Sequence, residues 1–107
     1  MKQYTVQDAY GAWQAGQVMI LDIREEYEHD SSHVAGVPLI PMSEIQDRLD
    51  EIPTELPLVI LCRSGNRSAT VTDYLNELGD YGEVANLEGG IIAWAANGLP
   101  YEGAPPR

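Results

Sequence analysis

Two short apolar runs, Val18-Met19-Ile20-Leu21 and Leu58-Val59-Ile60-Leu61, and a third strand-like segment, Val84-Ala85-Asn86-Leu87, are separated by stretches with helical spacing. A continuous apolar run of strand length is buried on both faces. Its alternation with helices predicts an α/β domain built on a parallel sheet with helices on each side. Ligands of such sheets bind at the carboxyl ends of the strands. Asp22 ends the first run and Cys62 the second. The 107 residues hold one such domain, and a chain of this size buries roughly 65% of its unfolded surface without needing disulfides or metal.

Thr5 followed by Asp8 predicts a helix start, with the helix running to about Ala15 and Gly16 as its stop. Arg24 to Asp30 reads as a polar, acidic loop with a helical turn, and His33 to Pro41 as a short extended stretch. Ser43 with Gln46 forms a second capping-box pattern, for a helix that carries Ile45 and Leu49 on one face and ends before Pro53. Ser68 to Leu78 reads as a helix closed by Gly79. Gly89-Gly90 turns into a last helix carrying Ile92, Ala93 and Trp94 and ending at Asn97-Gly98. Trp13 and Trp94 are expected in the core. The domain spans residues 1–100, and residues 101–107 form a short Gly/Pro-rich tail expected to lie along the surface or fray.

A net charge of −11 argues against nucleic acid and an anionic membrane surface as partners. No segment approaches the roughly 18 apolar residues of a membrane span, and Met1 to Thr5 lead into no apolar core of a targeting signal. A single cysteine excludes an internal disulfide and fits a reducing compartment, so a soluble cytoplasmic protein is expected. His29 and His33 pair with no further ligand at metal spacing, so no metal site and no cofactor are expected.

Cys62 opens the run Cys62-Arg63-Ser64-Gly65-Asn66-Arg67-Ser68, and two of the chain's six basic residues fall inside it. A thiol attacks only as thiolate, and a free cysteine titrates near ~8.5. Lowering that by about two units needs about 2.7 kcal/mol of preference for the anion. A helix amino terminus supplies about 0.3–1 kcal/mol, up to ~2 when partly buried. Backbone N–H groups curled around the sulfur add about 1.5–3 kcal/mol each. Gly65 permits the positive φ that such a nest requires, and Arg63 and Arg67 add charge. These contributions suffice without a histidine base.

The loop resembles the active site of the rhodanese (thiosulfate sulfurtransferase) family, including the pattern Cys-Arg-x-Gly-x-Arg. Leu21-Asp22-Ile23-Arg24-Glu25 resembles the family's Asp-x-Arg segment, and His33-Val34-Ala35-Gly36 through Ile40-Pro41 its His-x-x-Gly turn. Leu87-Glu88-Gly89-Gly90, Ala93-Trp94 and Gly98-Leu99-Pro100 resemble its carboxyl-terminal signature. The segments stand in family order from about Thr5 to Pro100. The resemblance implies a single rhodanese domain with a central parallel five-stranded sheet flanked by helices on both faces. It implies a Cys62 persulfide loaded from thiosulfate or a similar small anionic sulfur donor and passed to cyanide, a thiol or a protein thiol. The loop amides from Arg63 to Ser68 would hold the persulfide, and Arg63 and Arg67 would attract the sulfonate end of the donor. Two departures stand out. Ser32 replaces the usual Gly or similarly small residue before the histidine, and the stretch Glu25 to Asp30 is unusually acidic. Beside a pocket, that charge would oppose small anionic donors.

Asp22 and Arg24 read as supporting residues, through bonds to loop amides or an ion pair. Arg67 is open between donor binding and a salt bridge to an acidic neighbour such as Asp22 or Glu88. His33 reads as a turn residue and the acidic stretch as a solvated face. A rhodanese-like cysteine phosphatase or arsenate reductase is disfavoured. Only Arg63, Ser64, Gly65 and Asn66 separate Cys62 from Arg67, a loop too short to wrap a tetrahedral oxyanion. A non-catalytic or sulfur-relay domain that binds a partner is the remaining alternative.

Overall fold

The computed structural model describes residues 1–107. In chain order it contains β1 (Gln3–Tyr4), α1 (Val6–Gln14), β2 (Met19–Asp22), α2 (Glu26–Ser31), β3 (Ser32–His33), 3₁₀ turns at Met42–Asp47 and Leu49–Glu51, β4 (Leu58–Leu61), α3 (Asn66–Leu78), β5 (Val84–Leu87), α4 (Gly90–Ala96) and β6 (Glu102–Gly103). Four strands form the main sheet in the order β1-β5-β4-β2, and every pairing is parallel. The fold is the expected α/β one, with α1 and α4 on one face of the sheet and α3 on the other. The sheet has four full strands, and a parallel bridge between Leu39 and Asp22 stands at β2's outer edge in place of a fifth.

Side chains alternate across the sheet, so each apolar run feeds both faces. Ile20, Val59 and Leu61 pack with Val6, Ala9, Ile91 and Trp94 beneath α1 and α4. Leu21, Leu58 and Ile60 pack with Val71 and Leu75 of α3 and with Ile45 of the first 3₁₀ turn. Trp94 anchors the first face. Its ring meets Tyr10 edge-on at 5.5 Å and Trp13 at 6.2 Å between centroids, and its Nε1 donates to the Pro100 carbonyl at 2.8 Å.

Thr5 caps α1 as expected, its Oγ1 accepting from the Asp8 amide at 3.1 Å. The capping box expected at Ser43 does not form. The Ser43 hydroxyl donates instead to Glu25 Oε1 at 2.7 Å, and the segment tightens into 3₁₀ turns that begin after Pro41. α3 starts at Asn66, two residues earlier than its apolar spacing indicates, because Gly65 in left-handed conformation ends the loop. The Gly/Pro-rich tail lies along the surface in a defined register: β6 pairs antiparallel with β3, Ser32 opposite Gly103 and His33 opposite Glu102.

Asp22 and Arg24 form an ion pair that is all but sealed from water, with side chains 1% and 3% exposed. Arg24 Nε and Nη2 straddle the carboxylate at 2.8–3.1 Å, and the Arg24 amide donates to Asp22 Oδ1 at 2.9 Å. Removing one partner leaves an uncompensated buried charge. Asp22→Ala is therefore expected to lower the unfolding free energy by about 3–5 kcal/mol. Urea denaturation checks this, and an unchanged midpoint would mean that the pair holds nothing together.

Candidate active site

β4 delivers Cys62 to the carboxyl edge of the sheet, between its neighbours β5 and β2. The chain then turns through Arg63, Ser64 and Gly65 into α3. Gly65 has φ +106°, and a Cβ there would lie 3.2 Å from the Gly89 nitrogen, so only glycine completes this turn without strain. The first turn of α4 holds the loop from the other side. Ile91 N–H donates to the Cys62 carbonyl at 2.9 Å and Ile92 N–H to the Arg63 carbonyl at 3.2 Å. That approach needs the bare backbone of Gly90, where a Cβ would sit 2.4 Å from the Arg63 oxygen.

Cys62 is 1% exposed. Its Sγ accepts from the Gly65 N–H at 3.1 Å and lies 3.1 Å from Ser68 Oγ. Where a ring of amides is expected, the sulfur itself meets one N–H and one hydroxyl. Ser68 Oγ in turn donates to Asn86 Oδ1 at 2.5 Å, and Asn86 Nδ2 donates to Gln3 Oε1 at 2.9 Å. Cys62, Gly65 and Ser68 thus come together, while Arg63, Ser64 and Asn66 face solvent at the rim.

Arg67 makes a salt bridge, and its partner is Glu28 of α2 rather than Asp22 or Glu88. Nη1 and Nη2 grip the two carboxylate oxygens at 2.7 and 2.8 Å. Asp22 is already taken by Arg24, and the acidic stretch swings over the loop as α2. The Arg67 hydrogen bonds hold the Glu28 carboxyl below the usual glutamate range, and Glu28 raises the Arg67 guanidinium in return. Glu28 Oε1 also accepts from the Glu25 amide at 3.0 Å. Arg24 Nη2 donates to the Ser32 carbonyl at 2.7 Å, which fixes the far end of α2 and leaves Ser32 buried. The acidic stretch is therefore one wall of the site as well as a solvated face.

A cavity of about 400 Å³ opens beside the loop, with Arg24, Tyr27, Glu28, Ser32, Arg63 and Pro106 in its wall. Cys62 is not part of that wall. The tail closes one side, and Arg63 Nε donates to the backbone oxygen of Arg107. Asn86 and the Ile91 amide are site contributors that the sequence pattern leaves unmarked, although Asn86 carries a signal as a polar residue inside a fully buried strand. Glu28 belongs to the acidic stretch that the sequence marks, but its pairing with Arg67 does not show there. No group of three or more His, Cys, Asp or Glu side chains is placed to hold a metal ion, and no helix is long and apolar enough to cross a membrane.

The model of the rhodanese-like domain family matches residues 5–97. A sulfurtransferase of Allochromatium vinosum is 46% identical over 83 residues, which cover 78% of this chain and 77% of that protein. An HTH-type transcriptional regulator of Mycobacterium tuberculosis, Rv0324, is 36% identical over 94 residues, covering 86% of this chain and 41% of the regulator. Among solved structures, a rhodanese-related protein of Thermoplasma volcanium superposes with a TM-score of 0.85 at 28% identity, covering 95% of this chain and 98% of that one.

Glu28 titrates lower in the folded protein than its ordinary value near ~4.3, so the pair's stabilisation is complete above that pH and is lost as pH falls through the lower folded value. Glu28→Gln is expected to lower stability by about 1 kcal/mol near pH 7. The gap from wild type should close in denaturation curves taken below about pH 4. A gap that stays constant down to pH ~3 would contradict the ion pair.

Proposed function

The chain belongs to the rhodanese-like domain family, and from that premise we propose that it is a sulfurtransferase carrying sulfane sulfur on Cys62. The observation that carries the reading is the Cys62 sulfur at the end of β4, hydrogen-bonded by the Gly65 amide at 3.1 Å inside a loop of few residues. In the first half-reaction the Cys62 thiolate attacks the outer sulfur of thiosulfate or a similar donor. A bond forms between Sγ and that sulfur, the bond to the sulfite group breaks, and its electron pair leaves with sulfite. The persulfide anion then projects toward the loop backbone from Arg63 to Ser68, whose amides stabilise it as they would any anion in a nest. In the second half-reaction cyanide, a thiol or a protein thiol takes the outer sulfur and returns the thiolate, which gives ping-pong kinetics.

Arg63 is the cation left at the rim and attracts the donor's anionic end. Arg67, gripped by Glu28, acts by holding α2 against the loop. Asp22 and Arg24 support α2 from below and do not touch substrate. The loop between Cys62 and Arg67 favours a single sulfur atom over a phosphate group. A second reading, a partner-binding or sulfur-relay domain, is favoured by the match inside a transcriptional regulator.

Intact-mass measurement after thiosulfate treatment separates a sulfur-carrying domain from a binding domain that carries none. A gain of one sulfur atom, absent in Cys62→Ser and reversed by cyanide, is the expected result, whereas no gain with any donor leaves the binding domain. Arg63→Ala is expected to raise the thiosulfate KM, with kcat/KM falling on the order of 3- to 10-fold in steady-state assays. Unchanged constants would remove Arg63 from donor binding.

A further inference from the structure

We propose that Asn86 is a positioning residue for the sulfur chemistry: it parks the proton of the Ser68 hydroxyl, which turns to Cys62 Sγ whenever that atom is anionic and returns to Asn86 when it is not. The role in turnover rests on the sulfurtransferase reading; the geometry does not.

Ser68 is wholly buried in the first turn of α3, and Asn86 is 4% exposed on β5. The Ser68 hydroxyl owns one proton and stands within reach of two acceptors, Sγ at 3.1 Å and Asn86 Oδ1 at 2.5 Å. The Asn86 amide cannot offer its nitrogen instead, because Nδ2 is committed to Gln3 Oε1 of β1 at 2.9 Å. The Ser68 carbonyl accepts from Thr72 Oγ1 at 2.7 Å, so the backbone under the hydroxyl is fixed and only rotation of the O–H remains.

This one rotation follows the charge on Sγ. With a protonated thiol, S–H donates to Ser68 and Ser68 to Asn86. With a thiolate, the O–H turns to the sulfur. In the persulfide Sγ is neutral and the charge sits on the outer sulfur, so the O–H returns to Asn86. When an acceptor takes the outer sulfur, the S–S bond breaks, its electron pair passes to Sγ, and the hydroxyl turns back to meet it. The Gly65 N–H faces Sγ in every state and cannot make that distinction. The donor is needed most where Sγ is the leaving group.

Asn86→Asp replaces the amide oxygen with a charged acceptor of the same shape, which keeps the hydroxyl proton permanently. Ser68→Ala removes the donor, and Ser68→Thr retains it. Single-turnover discharge of the loaded enzyme by cyanide is expected to slow on the order of 10- to 100-fold in Asn86→Asp and Ser68→Ala, the scale of a hydrogen bond to a charged acceptor. Loading by thiosulfate should slow less, and Ser68→Thr should recover most of the discharge rate. Alkylation of Cys62 by iodoacetamide at one neutral pH should slow in the same two variants and recover in Ser68→Thr. It needs no sulfur donor, so if the wild-type protein takes up no sulfur, the functional reading fails and alkylation still decides the role of Asn86. Equal slowing of loading and discharge, or wild-type discharge and alkylation in Asn86→Asp, would reduce Asn86 to a structural residue. If that variant does not fold, a wild-type discharge rate in Ser68→Ala overturns the proposal equally.

Discussion

The turn that carries β4 into α3 governs the rest of the site. A parallel strand ends with unpaired backbone groups, and here they are met by the first amides of α4, which accept no side chain in between. Two backbones in direct contact leave little freedom to the residues they enclose. Cys62 is consequently held by its own carbonyl on one side and by its sulfur on the other. A cysteine held in this way depends on glycine at two positions, Gly65 and Gly90.

Charge organises the second layer. The protein carries a net charge of −11, yet three of its cations sit at or behind the loop. Arg24 is consumed by Asp22 and by the carbonyls of Glu28 and Ser32, and Arg67 by Glu28. Both arginines thus tie one short acidic helix to the sheet and to α3. Only Arg63 keeps its guanidinium at the rim. This division explains how a chain so acidic can place carboxylates beside the Cys62 loop: Glu28 is neutralised by a bidentate partner.

The parallel sheet was legible because residues 18–21 and 58–61 are apolar without alternation, a pattern that burial on both faces explains. The loop was legible because a lone thiol, a glycine and two arginines lie within a few residues of one another. The partner of Arg67 was not, since Glu28 is 39 residues away in sequence and its own helix reads as a polar loop. Ser43 was misread for a related reason. Its hydroxyl could serve a helix end or a distant carboxylate, and the tertiary contact with Glu25 prevailed over the local cap. Asn86 lay in plain view inside a strand, but its partners, Ser68 and Gln3, are ones that only folding brings to it.

The aromatic seam between α1 and α4 has a spectroscopic consequence. Both tryptophans of the chain belong to it, and neither lies on the side of the sheet covered by α3, where the sulfur's hydroxyl and amide network is built. Tryptophan emission from this protein therefore reports on a single seam, and a red-shift during denaturation records the parting of these two helices from the sheet.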